Sequence, residues 1–251
     1  MEKRTILIAN DDGIGAEGIA RLAAAALPFG RVFVAAPDTQ CSGMSQKLTI
    51  RGELSVTEAP FPVPVEAAWA VGGTPADCVK AAIKALLPVR LDVVLTGINR
   101  GYNAGFDIAY SGTVGAAMEG ALNGRPAMAV SLGHEREDIY DKAAALAVRV
   151  FDGLRAHPLP PFSVLNLNYP ERDEALGLKA TSLRTLRYLD DYEPEIGEDG
   201  ETRYTLVGGL DKSMADGEDD YTWLKRGYAT MTVLTYDLTH DAATKALEGR
   251  I

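Results

Sequence analysis

Four short apolar runs, Thr5 to Ala9, Arg31 to Ala36, Asp92 to Thr96 and Ala127 to Leu132, alternate with three Ala- and Leu-rich stretches, and this alternation limits the fold more than any other feature. Runs this short suit buried strands. The stretches Gly18 to Leu27, Pro75 to Leu87 and Thr113 to Leu122 carry the spacing of a buried helix face. Strand and helix in alternation predict an α/β fold with a mainly parallel sheet flanked by helices. One helix start is explicit in Thr74-Pro75-Ala76-Asp77, with Thr as N-cap, Pro at the first helical position and an acid in the first turn.

Other segments are less regular. Lys47 to Ile50 and Leu54 to Thr57 read as a small ribbon before the Pro-rich loop Pro60 to Pro64, and Ser163 to Asn168 as one more strand. The acidic stretch Asp190 to Glu201 lies between strand-like Thr181 to Leu189 and Thr202 to Val207. This predicts an extended hairpin arm over about 181–207, whose role is either to pack on another subunit or to carry a mobile tip.

Charge and composition exclude several classes. With 35 acidic against 25 basic residues the formal net charge is -10, which argues against a nucleic-acid backbone as partner. No stretch approaches the roughly 18 apolar residues of a membrane span, and the opening Met-Glu-Lys-Arg leads into no apolar leader, so a cytoplasmic protein with no membrane partner is expected. Cys41 and Cys78 are the only cysteines, too few for a disulfide framework.

The chemistry concentrates in loops that follow strand ends, where ligands bind in open parallel sheets. Asn10-Asp11-Asp12-Gly13 comes first. Two ionised carboxylates about 4 Å apart repel by about 4 kcal/mol at an effective dielectric near 20, which selects a divalent cation or a shared proton. The plainer alternative makes Asp11 a solvated turn residue and Asp12-Gly13 a turn dipeptide. Further loops, Ala36 to Gly43 and Gly97 to Gly105, offer hydroxyl and amide oxygens, which favour magnesium, manganese or calcium over zinc. The histidines at 134, 157 and 240 are dispersed and read as surface or structural residues. Ser111-Gly112-Thr113 opens a helix and forms an anion site from free N–H groups and two hydroxyls, unless Thr113 is only an N-cap. Tyr102, Phe106 and Tyr110 are equally candidates for base stacking and for packing. A competing reading comes from Gly13-Ile14-Gly15-Ala16-Glu17-Gly18, which matches GxGxxG, with Asp38 after the next strand: a nucleotide- or dinucleotide-binding module without phosphatase activity.

Taken together, the motifs resemble one family. Asn10 to Gly13, Ala36-Pro37-Asp38 with Ser42-Gly43, Gly73 to Val79, Gly97 to Asn103 and Tyr110 to Gly120, in this order, are similar to the SurE survival-protein family of metal-dependent 5′-nucleotidases and phosphatases. That resemblance implies a Rossmann-like core over 1–160 and a C-terminal region, 161–251, that completes the sheet and carries the arm and a swapped assembly segment. It implies one divalent cation per subunit, most simply Mg2+ or Mn2+ with Co2+ or Ca2+ as alternatives, held by Asp11, Asp12, Ser42 and Asn99. It further implies hydrolysis of nucleoside 5′-monophosphates, with 3′-monophosphates and polyphosphate as further substrates, in a homodimer or homotetramer. The expected chemistry is attack of a metal-activated water on phosphorus, with Asp11, Asp12 and Asn99 as catalytic residues and Asn103, Ser111, Gly112 and Thr113 on the phosphate. Arg226 to Leu234 resembles the family's closing strand. The chain departs from many members at Thr39-Gln40-Cys41, where they carry a basic residue before the Ser.

Overall fold

The computed structural model describes residues 4–154, 156–185, 187–211, 213 and 217–248. Its elements are β1 (Arg4–Ala9), α1 (Glu17–Ala26), β2 (Gly30–Pro37), β3 (Ser55–Glu58), β4 (Ala67–Gly72), α2 (Pro75–Ala81, continued by a π turn over Ala82–Leu86), β5 (Val93–Arg100), α3 (Gly112–Leu122) and β6 (Ala127–Leu132). They are followed by α4 (Tyr140–Gly153), β7 (Ser163–Tyr169), β8 (Leu178–Ala180), β9 (Asp191–Ile196), β10 (Thr202–Val207), α5 (Asp220–Lys225), β11 (Ala229–Thr235) and α6 (Asp241–Leu247). Nine strands form one sheet in the order β3-β4-β2-β1-β5-β6-β7-β11-β8. Pairing is parallel except at β3–β4 and β7–β11, so the predicted α/β architecture with a mainly parallel sheet is what the chain forms.

The strand period distributes the core. Ile6 and Ile8 pack on the face covered by α1 and α4, while Leu7 and Ala9 pack with residues of α2 and α3 on the other. All four are fully buried, so β1, an interior strand of the sheet, is apolar without alternation from Ile6 to Ala9. Its chain then emerges at Asn10, at the crevice edge.

Three expectations are corrected. Lys47 to Ile50 is not a strand: Thr49 N–H and Oγ1–H donate to Asp77 (2.9 and 2.8 Å) and Lys47 O accepts from Thr74 Oγ1 (2.5 Å), so this segment's polar groups go to the start of α2 instead of a ladder. The ribbon is β3 with β4, and β4 is hidden in the sequence because Ala67-Ala68-Trp69-Ala70 lacks the β-branched residues that announce strands. Helix α4 was also not expected, although Tyr140, Ala143, Ala144, Ala147 and Phe151 recur at helical spacing and form its buried stripe. Finally, the hairpin is shorter than the expected 181–207 and occupies only its later part, 191–207. Thr181 to Leu189 makes only isolated bridges at Ser182 and Tyr188 among the described residues, and the acid-bearing β9 pairs with β10. Every residue of β9 is exposed, and in a ribbon with no buried face hydrophobic pattern cannot select the register.

Candidate active site

Asp11 and Asp12 follow β1 directly. Asp11 is 5% exposed and Asp12 half-buried, which overturns the solvated-turn alternative for Asp11. Asn10 shapes the turn by donating Nδ2–H to Gly13 O (2.9 Å), and Gly13 takes φ +99°, a conformation that suits glycine. Burial, the Asp12 charge and the Thr113 hydrogen bond pull on Asp11 in opposite directions; burial is the largest effect and pushes its carboxyl up to about 6. Asp12 is likewise raised by burial, against hydrogen bonds from Arg100 N–H (3.2 Å) and the Gln40 side chain.

The entrance of α3 sits on Asp11. Ser111, not Thr113, is the N-cap, its Oγ accepting from Val114 N–H (3.1 Å). Thr113 is fully buried and its hydroxyl donates to Asp11 Oδ1, so that proton cannot also serve a phosphate. A Cβ on Gly112 would fall 2.8 Å from Asp11 Cβ and 2.9 Å from Oδ2, so a side chain there would displace the acid.

The other predicted residues arrive from neighbouring strand ends. β5 runs through the expected loop as far as Arg100; its register on β6 shifts between Thr96 and Asn99, after which Asn99 pairs with Ser131. Asn99 Nδ2 donates to Gly101 O (2.8 Å), which leaves its carbonyl oxygen as the end able to meet a cation. Ser42 is exposed on a loop pinned on both sides, by Cys41 N–H to Asp11 O (2.7 Å) and Ser45 N–H to Tyr110 O (2.9 Å), which stretches it between the β1 end and the α3 entrance. Asn103 is buried: Nδ2 donates to Ser131 Oγ (2.8 Å), N–H to Asn168 Oδ1 (3.0 Å), and its carbonyl accepts from Asn166 and Asn168 (2.8 and 3.0 Å). Sequence reasoning missed Ser131, Asn166 and Asn168; the signal was two asparagines at strand period 2 inside an apolar run, Asn166-Leu167-Asn168. Tyr102 is tied down by Glu171 N–H (2.9 Å), whereas Phe106 and Tyr110 are exposed and so are not packing aromatics. In the GxGxxG match, Gly18 packs against β5, where a Cβ would lie 2.1 Å from Ile98 O, which accounts for that glycine without a dinucleotide.

A buried and a half-buried carboxylate with neutral oxygen donors at the carboxyl edge of a parallel sheet, and a helix N-terminus on one acid, give an α/β protein with its polar groups where such sheets bind ligands. The family described as "Survival protein SurE" matches residues 6–190, and the chain belongs to it. It is 39% identical over 235 residues to the 5′-nucleotidase SurE of Pelotomaculum thermopropionicum, covering 93% of this chain and 90% of that one. It is 40% identical over 237 residues to the 5′-nucleotidase SurE of Moorella thermoacetica, covering 94% and 91%. Among solved structures, the SurE protein from Aquifex aeolicus superposes with a TM-score of 0.84 at 32% identity, covering 97% of this chain and 98% of that one.

Proposed function

We infer that this chain is a 5′-nucleotidase that releases phosphate from nucleoside monophosphates. The observation that carries the reading is the buried Asp11 under the α3 entrance with Asp12 beside it, in a chain about 40% identical over nearly its whole length to proteins of that activity. We propose that Asp11, Asp12, Ser42 and Asn99 hold one divalent cation. The donor set fits: Asp11 is buried and ionises only against a penalty, and Asn99 is oriented with its carbonyl oxygen available. When bound, such a cation supplies charge neutralisation on the phosphate and acidifies water. Thr113 holds Asp11 in place. Asp12, hydrogen-bonded through Oδ2 to Arg100 N–H, is placed to take a proton from the attacking water. Ser111 keeps its hydroxyl proton, Gly112 its N–H at the helix start, and Asn103 a second amide proton; these three are the donors for the phosphate. Exposed Phe106 and Tyr110 are the stacking candidates for the base.

The same reading includes assembly through the C-terminal region as a dimer or tetramer, supported by Tyr192, Ile196, Tyr204 and Leu206 exposed on the β9–β10 ribbon and Leu238 and Leu247 beyond β11. It also includes the cytoplasm, supported by two buried free thiols and by the absence, among the described residues, of any helix long and apolar enough to cross a membrane.

The test is phosphate release from a panel of nucleoside 5′- and 3′-monophosphates, polyphosphate and p-nitrophenyl phosphate in EDTA, then with magnesium, manganese, calcium or cobalt restored. Release should vanish in EDTA and return with a metal, and Asp12→Ala should remove it without unfolding the chain. Nucleotide retained with no phosphate released would establish the binding-module alternative.

A further inference from the structure

A cavity of about 710 Å3 opens on the edge of the sheet opposite Asp11, at the N-terminal ends of β1, β2 and β5. Its walls carry Arg4, Arg31 and Arg90, a gathering of cations in a protein of formal net charge -10. Two carboxylates face them. Asp92 accepts from Thr5 N–H (2.8 Å) and Glu66 pairs with Arg31 (3.0 Å). Arg90 is exposed and makes no ion pair among the described residues. The rest of the lining is largely apolar, with Val89, Val93, Pro126, Phe151 and Leu154, and Arg4 lies 4.8 Å over the ring of Phe151. The cavity shares Pro126 and Leu154 with an adjoining one of about 300 Å3 lined by Arg125, whose Nε is buried with no hydrogen-bond partner.

We propose that this cavity is a second ligand site, separate from the catalytic crevice, for a phosphorylated small molecule with a flat apolar body such as a nucleotide. Guanidinium forks recognise phosphate oxygens, and Arg90 on this wall has no ion-pair partner among the described residues. The Arg4–Phe151 stack and the aliphatic wall supply the surface on which a planar ring rests. None of the residues assigned to the crevice lines this cavity, so occupancy here requires neither cation nor turnover.

The probe is the phosphonate analogue of AMP, whose carbon–phosphorus bond resists hydrolysis, titrated by calorimetry into the full-length chain in EDTA. One binding event per chain is expected, weakened about tenfold by Arg90→Glu and unchanged in Asp12→Asn. Arg90→Glu should still release phosphate from AMP. Binding that survives Arg90→Glu but is lost in Asp12→Asn, or no binding in EDTA at all, overturns the second site. Inorganic phosphate competing as well as the analogue would overturn the apolar half of the recognition. Loss of hydrolysis by the unaltered protein, with this binding event intact, would count against the nucleotidase reading and not against the cavity.

Discussion

Asp11 holds the balance between stability and chemistry at one residue. Its folded pKa of about 6 lies above the ordinary 3.8, so the ionised form opposes folding. The penalty is absent below both values, grows as pH rises through them, and is full above pH 6, where it amounts to about 3 kcal/mol. Asp11→Asn is therefore expected to raise the melting temperature of EDTA-treated protein at pH 7.5 and leave it nearly unchanged at pH 4, while AMP hydrolysis is lost. Equal melting of variant and parent at pH 7.5 would show that the charge is not buried at a cost. Thr113→Val removes the hydroxyl that holds Asp11 and should shift the acid limb of the pH–rate profile upward. That Asp11 and Asp12 follow the first strand was legible in the sequence; the Thr113 contact with Asp11 was not, because Asp11 and Thr113 lie 102 positions apart in the chain.

At the scale of the element, α2 and α3 show what a helix start can do. At α2, Thr74 and Asp77 cap each other reciprocally, and Asp77 also accepts from Thr49, holding 47–50 against the helix. Burial would raise the Asp77 carboxyl, yet the Thr49 and Thr74 hydrogen bonds hold it below the ordinary range. Its stabilising contribution is present above the ordinary carboxylate pKa and is lost as pH falls through its lowered value. Asp77→Ala should cost about 1–3 kcal/mol in urea unfolding at pH 7, and much less at pH 2. At α3 the start packs on Asp11 instead. Gly112→Ala puts a methyl group into Asp11, and we expect at least a tenfold loss of AMP hydrolysis with helical circular dichroism unchanged. The α2 cap could be read from Thr-Pro-Ala-Asp because capping is local; that Ser111 caps α3 while Thr113 turns to β1 depends on where the sheet puts Asp11.

For the whole molecule, the β9–β10 ribbon stands apart from the nine-stranded sheet and pairs only with itself. Two strands alone bury too little to be stable, so the exposed Tyr192, Ile196, Tyr204 and Leu206 argue for a partner surface. Replacing residues 191–207 by a short turn should lower the molar mass measured by light scattering to that of one chain while the sheet stays folded. An unaltered mass would remove the arm from assembly.

Local chemistry written along the chain was enough to specify the parallel sheet, the acid pair at its edge and the α2 start, because strand runs, helix stripes and caps are short-range patterns. Tertiary structure alone decided which hydroxyl serves Asp11, that Asn103 rests on Asn166, Asn168 and Ser131, that 47–50 joins a helix cap instead of a ribbon, and that arginines gather at the far edge. Each of these depends on distance in space between residues far apart in sequence, and that distance exists only once burial of the apolar strands has set the sheet order.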